Sequence, residues 1–140
     1  MADASEMPKI LSFIRGHATA IWLIYWTVLA GLLHWPKLPR PPIQLSKEGW
    51  VAHFTTFSLL SVLCLYARTA HSQLTRSFVI RWTLIFMAFG AVSETLQPLT
   101  NRHRDLRDFI ANASGILAVM GYAYFRLAVR SGTELGPSAP

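Results

Sequence analysis

Glu94 and Gln97 stand three residues apart, and Asp108, Asn112 and Gly115 follow at spacings of four and three. On helices, residues so spaced share one face. Between the two sets lies Arg102, whose planar guanidinium offers a two-pronged fork to a carboxylate or a phosphate. His53 opens another apolar run. Carboxylates and an imidazole tuned by burial can act as general acids and bases, so Glu94, Asp108 and His53 are the catalytic candidates. Gln97, Arg102, Asp105 and Asn112 are the ligand-binding candidates, since they can read the polar atoms of a headgroup. No serine or cysteine is marked out by its neighbours as a nucleophile. No H-x-x-x-H or D-x-D spacing is present either, so no metal is assigned, and the sequence names no cofactor.

Each of these residues also has a plain structural reading. Asp105 suits the N-cap of a following helix, where its carboxylate takes orphan amide hydrogens. Asn112 can bridge helices by hydrogen bonds, and Gly115 with Ala111 makes a small-xxx-small pair that permits close helix approach. Glu94 with Arg102 is the expected ion pair, because a carboxylate at the edge of hydrocarbon is costly to leave alone.

The elements that must position these groups are apolar. The chain has 140 residues, 52% hydrophobic and 14% charged, which removes it from the ordinary soluble class. No Lys, Arg, Asp or Glu occurs for 21 residues between Arg15 and Lys37, nor for 19 between Glu48 and Arg68. Either run matches the roughly 20 residues that cross a bilayer core. Seventeen uncharged residues separate Asp108 from Arg126, whereas Arg81 and Glu94 enclose only 12. That shorter run reaches spanning length as 77–97 if Arg81 extends along its aliphatic stem towards the headgroups. The expected architecture is an all-α integral membrane protein, an up-down bundle of four transmembrane helices near 18–35, 51–67, 77–97 and 107–128. An amphipathic or irregular leader fills 1–17, and 129–140 has the composition of a disordered tail. Trp35, Trp50, Trp82, Tyr122 and Tyr124 sit where interfacial anchors belong. Cys64 is alone and can form no internal disulfide; a packed, inert thiol is expected.

Such a bundle brings His53, Glu94, Gln97, Asp108 and Asn112 to one membrane face. The net charge is +6, with seven Lys and Arg on the side of the termini and six on the side of the polar cluster. That spread suits membrane flanks better than a nucleic-acid surface. If Arg102 and its neighbours are reserved for function, the balance puts the termini in the cytoplasm and the cluster on the outer face of the cytoplasmic membrane.

The run Glu94-x-x-Gln97, then Arg102-x-x-Asp105-x-x-Asp108-x-x-x-Asn112-x-x-Gly115, resembles the signature of the VanZ-like family of small four-helix membrane proteins. His53-Phe54 is similar to that family's earlier histidine motif, so the resemblance covers about residues 45–125. One departure is visible: where family members often carry an Asp-Lys pair before the histidine, this chain has Gly49 and Trp50, which leaves Glu48 as the nearby substitute. The resemblance implies four spans and a polar site at one membrane face. The family's founding member is associated with resistance to the glycopeptide antibiotic teicoplanin, and many relatives have no assigned role.

Three functions fit these residues. The first is a protein that binds or processes an envelope lipid or lipid-linked glycan at the outer interface, with Arg102 on a phosphate or carboxylate and the bundle around the acyl or prenyl chain. The second is a membrane-embedded acid/base enzyme using Glu94 or Asp108, with His53 as proton shuttle. The third is a non-catalytic assembly subunit whose polar cluster locks the bundle. The oligomeric state is not written in the sequence.

Overall fold

The computed structural model describes residues 7–34, 49–100 and 105–133, which are helical throughout apart from short connections, with no strand among them. The helices are α1 (Met7–Gly16), α2 (Ala18–His34), α3 (Gly49–His71), α4 (Arg76–Leu96) and α5 (Leu106–Thr133), with a 3-10 turn at Gln97–Thr100. Four of them overlie the helices expected from the apolar runs. The leader's described part is also a helix, with none of its residues buried. The last helix takes in the first five residues of the expected tail, 129–133. No breaker intervenes before Gly132, and the Arg76 guanidinium donates to the carbonyls of Leu127 and Ala128 at 3.4 and 3.3 Å, a cation near the negative end of the helix. Residues 134–140 lie outside the described residues.

Local chemistry sets the ends. Thr75 takes an extended backbone, and its hydroxyl accepts the Phe78 amide at 3.3 Å, capping α4. At α5, Asp105 Oδ1 accepts the Arg107 amide at 2.9 Å while the Asp105 carbonyl accepts from Asp108 and Phe109, which is the N-cap reading of this residue.

Four residues join α3 to α4, which forces them antiparallel, yet the two helices are not the closest neighbours. α3 packs along α5, α5 along α4, and α2 along α3, with lighter contact between α2 and α4. The order around the bundle is therefore α2, α3, α5, α4, and α5 stands between the two helices that precede it. Aromatic rings fill the space between α2 and α4: Trp26 lies edge-on to Trp82, Phe86 and Phe89, with ring centroids 5.4–5.8 Å apart. Each such pair adds about 0.5–1.5 kcal/mol to the burial itself. Trp82, expected at the interface, also packs against Trp22 and Trp26 of α2. Cys64 is free and buried within the core of α3.

The interior holds Ser61, Ser93, Glu94, Gln97 and Asn112, while Ile24, Leu32, Leu84, Leu117 and Phe125 face outward, several more than 60% exposed. The core around these polar groups is apolar, with Phe57, Leu60, Phe86, Ile116 and Met120 fully buried, and an exterior that is apolar as well departs from the pattern of a soluble domain. Two helical stretches are long and apolar enough to cross a membrane, Gly49–His71 and Arg76–Leu99. The second contains the run that looked shortest from its charges, and Arg81 sits on its exposed surface. α2 has 17 residues, about 26 Å at 1.5 Å per residue, short of a core of roughly 30 Å. Taken with α1 across a 64° bend, it makes a third candidate span.

Candidate functional site

The position of α5 between α3 and α4 decides the site. One side chain near the start of α5, on its inner face, can touch both neighbours, and that side chain is Asn112, 1% exposed. Its Oδ1 lies 3.0 Å from His53 Nδ1 on α3. Its Nδ2 donates to Glu94 Oε1 on α4 at 3.5 Å, the long end of hydrogen bonding. One turn earlier on α5, Asp108 Oδ2 lies 3.5 Å from His53 Nε2. Gln97, three residues beyond Glu94, is buried and adds a side-chain hydrogen bond to the same carboxylate. A continuous chain of polar groups therefore runs Asp108, His53, Asn112, Glu94, Gln97 across three helices.

Burial grades along this chain. The His53 and Asp108 side chains are 17% and 25% exposed, whereas Glu94 and Asn112 are buried, so the imidazole and Asp108 form a rim and the others a floor. With the Asn112 amide donating to Glu94, its oxygen must receive a proton from His53 Nδ1. Nε2 is then the atom left to face Asp108, and a proton there would complete an ion pair at the rim. The floor is incompletely satisfied: Glu94 Oε2 and Ser93 Oγ are buried without a hydrogen-bond partner among the described residues. A buried carboxylate oxygen left in that state costs about 1–3 kcal/mol or more.

Glycines let the three helices close on this cluster. A Cβ at Gly115 would stand 2.4 Å from the Phe54 carbonyl oxygen and 2.8 Å from Ser58 Oγ, so α3 and α5 touch backbone to backbone there. At Gly90 a Cβ would meet the Phe57 ring and Asn112 at 3.6 and 3.7 Å, ordinary contact.

Of the candidates drawn from the sequence, His53, Glu94, Gln97, Asp108 and Asn112 come together. Asp105 lies exposed at the helix cap. Arg102, and with it the expected Glu94–Arg102 pair, lies outside the described residues, as does Glu48. The carboxylate that His53 lacks at the preceding positions comes from α5 instead, as Asp108. Gly49 is next to that group, since a Cβ there would be 3.9 Å from Asp108 Oδ1, and an acidic side chain at 49 would crowd a second carboxylate against it. Ser93 escaped the sequence reading, although it lies three residues after Gly90 and four before Gln97, on the same face. Among the described residues, no group of three or more His, Cys, Asp or Glu side chains is placed to hold a metal ion.

A scan against protein-family models, a search of the curated proteins and a search of the solved structures each returned no match for this chain.

Proposed function

We propose that the chain is a VanZ-like integral membrane protein of four spans that binds or processes an envelope lipid or lipid-linked glycan through the cluster at the start of α5. The observation that carries this reading is the open rim of His53 and Asp108 over a buried floor in which Glu94 Oε2 and Ser93 Oγ have unused hydrogen-bonding capacity. A structural lock would close on itself, whereas a binding site keeps such valences for a ligand. In this reading α2, α3, α4 and α5 span the cytoplasmic membrane, and α1, bent away from α2, lies in the interface with Ile10, Leu11 and Phe13 towards the acyl chains. The apolar exterior of the bundle supports that placement. The termini are cytoplasmic and the cluster faces outward, where Arg102 supplies the cation for a phosphate or carboxylate. Any bearing on glycopeptide antibiotic resistance would follow from the identity of that lipid.

Acid/base catalysis is the second reading, favoured by one contact. A carboxylate on one imidazole nitrogen, with the other nitrogen hydrogen-bonded, is how a histidine is oriented for proton transfer. The deciding experiment is native mass spectrometry of protein purified from its membrane, comparing wild type with Arg102→Ala and Asn112→Ala, alongside thermal unfolding. A lipid carried by wild type and lost from both variants while they remain folded supports the binding reading. Identical spectra with a large loss of stability would make the cluster a lock, and turnover of the lipid that Glu94→Gln abolishes without loss of binding would make it an enzyme.

A further inference from the structure

Along the seam of α3 and α5, from near the cluster to the far end of the bundle, runs a groove of about 1540 Å³. It starts at Phe54 and Ser58, the residues against which Gly115 presses. Val62 and Leu65 wall it on α3, and Ala118 and Val119 on α5. From Phe54 to Thr69 it follows about 22 Å of helix, more than one leaflet of a core roughly 30 Å thick. Its far end is ringed by Arg15, His71, Arg126 and Arg130.

No carboxylate lines the groove among the described residues, and the described carboxylates, Glu94, Asp105 and Asp108, all belong to the other end of the bundle. Arg126 and Arg130 stand one turn apart on α5, and Arg126 Nη1 is steadied by the Tyr122 hydroxyl at 3.2 Å. Arg15 reaches in from α1, where its Nε donates to the Ala70 carbonyl at 3.4 Å. A long apolar trough closed by three guanidinium groups has the two halves of one chemistry, an acyl chain and an anionic head. A second copy of this chain would bring a second set of arginines against the first, which like-charge repulsion disfavours.

We propose that this groove binds an anionic phospholipid, one acyl chain lying between α3 and α5 and the phosphate held by Arg15, Arg126 and Arg130. The proposal rests on the membrane placement argued above but not on the Glu94 cluster. It is tested on the full-length protein in neutral detergent, titrated with dioleoyl phosphatidylglycerol or with dioleoyl phosphatidylcholine, with bound lipid counted by native mass spectrometry. Wild type should retain phosphatidylglycerol roughly tenfold better than phosphatidylcholine, a modest worth for two or three charge-assisted contacts. The double variant Arg126→Gln, Arg130→Gln should bind both lipids alike. Ala118→Trp, a change at an exposed helical position that fills the trough, should lose both, and Leu84→Ala, on the exposed face of α4 away from the groove, should bind as wild type does. Equal retention of the two lipids by wild type overturns the proposal, as does a preference that survives the double variant or binding unchanged by Ala118→Trp. Dimer masses that disappear with Ala118→Trp would also overturn it, by making the groove an interface between copies.

Discussion

Gly115→Ala is the sharpest perturbation of the helix seam that carries the site. The added methyl would stand 2.4 Å from the Phe54 carbonyl oxygen and 3.1 Å from the Ser58 amide nitrogen, whereas ordinary contact begins at 3.4 Å. Two of its three nearest neighbours are backbone, so no side chain can swing aside, and α3 must move from α5 by about 1 Å. Overpacking of this kind costs about 1–3 kcal/mol. His53 adjoins Phe54, and Asn112 is one turn from Gly115, so the same shift stretches their 3.0 Å contact to about 4 Å and forfeits a hydrogen bond worth ~1 kcal/mol. Replacing glycine inside a helix returns up to ~1 kcal/mol. The net is a loss of about 1–3 kcal/mol, several degrees in the unfolding midpoint. Thermal unfolding followed by helical circular dichroism in one detergent reads this directly. Gly121→Ala is the control, since nothing lies within 4 Å of its Cβ and it should gain up to ~1 kcal/mol. A Gly115→Ala protein that unfolds at or above the wild-type midpoint, beside a stabilised Gly121→Ala, would refute the close approach of α3 and α5.

Three further outcomes are expected. Asn112→Ala removes the one group among the described residues that hydrogen-bonds both His53 and Glu94 and leaves each desolvated without that partner, so it should cost about 2 kcal/mol or more in the same unfolding assay. Asp105→Ala should cost about 1 kcal/mol through loss of the α5 cap, and Asp105→Asn should recover most of it; equal stability of all three proteins would remove the capping role. Cys64, 1% exposed, should resist a maleimide in the folded protein and react once it is unfolded in dodecyl sulfate, which mass spectrometry of the adduct would show.

The helices were legible because their signal is composition over long windows, which tertiary contacts do not revise. Their neighbours were not. A short α3–α4 connection suggests that these two helices pack side by side, and nothing in the spacing of charges says that α5 inserts between them. That depends on which faces carry aromatic bulk, above all Trp22, Trp26 and Trp82 between α2 and α4. The site was legible as a set of residues and not as a set of pairs. The two-pronged guanidinium of Arg102 suggests it as the partner of Glu94, and that pair lies outside the described residues; among the described residues the Glu94 side chain meets Asn112, 18 residues on, and Gln97. Asp108 as the companion of His53 was equally hidden, since 55 residues separate them and only the parallel run of α3 and α5 brings their first turns level.

The distribution of charge separates the two ends chemically. The described charged groups of the cluster are the carboxylates of Glu94, Asp105 and Asp108 with Arg107, beside the His53 imidazole, so before the connection at 101–104 is counted they attract hydrogen-bond donors rather than anions. The arginine-ringed groove at the other end attracts the reverse. A phosphate at the Glu94 cluster therefore requires the cations of the connecting segment, Arg102 first, whereas the hydroxyls of a sugar need only Glu94 Oε2, Asp108 and the Asn112 and Gln97 amides. The two ligand chemistries thus make opposite demands on one residue. If Arg102→Ala releases the bound molecule, the cluster reads an anionic headgroup. If the molecule stays and Glu94→Gln releases it, the cluster reads the neutral, hydroxyl-rich part of a lipid-linked glycan, and the search for substrates should begin with the sugar rather than with the phosphate.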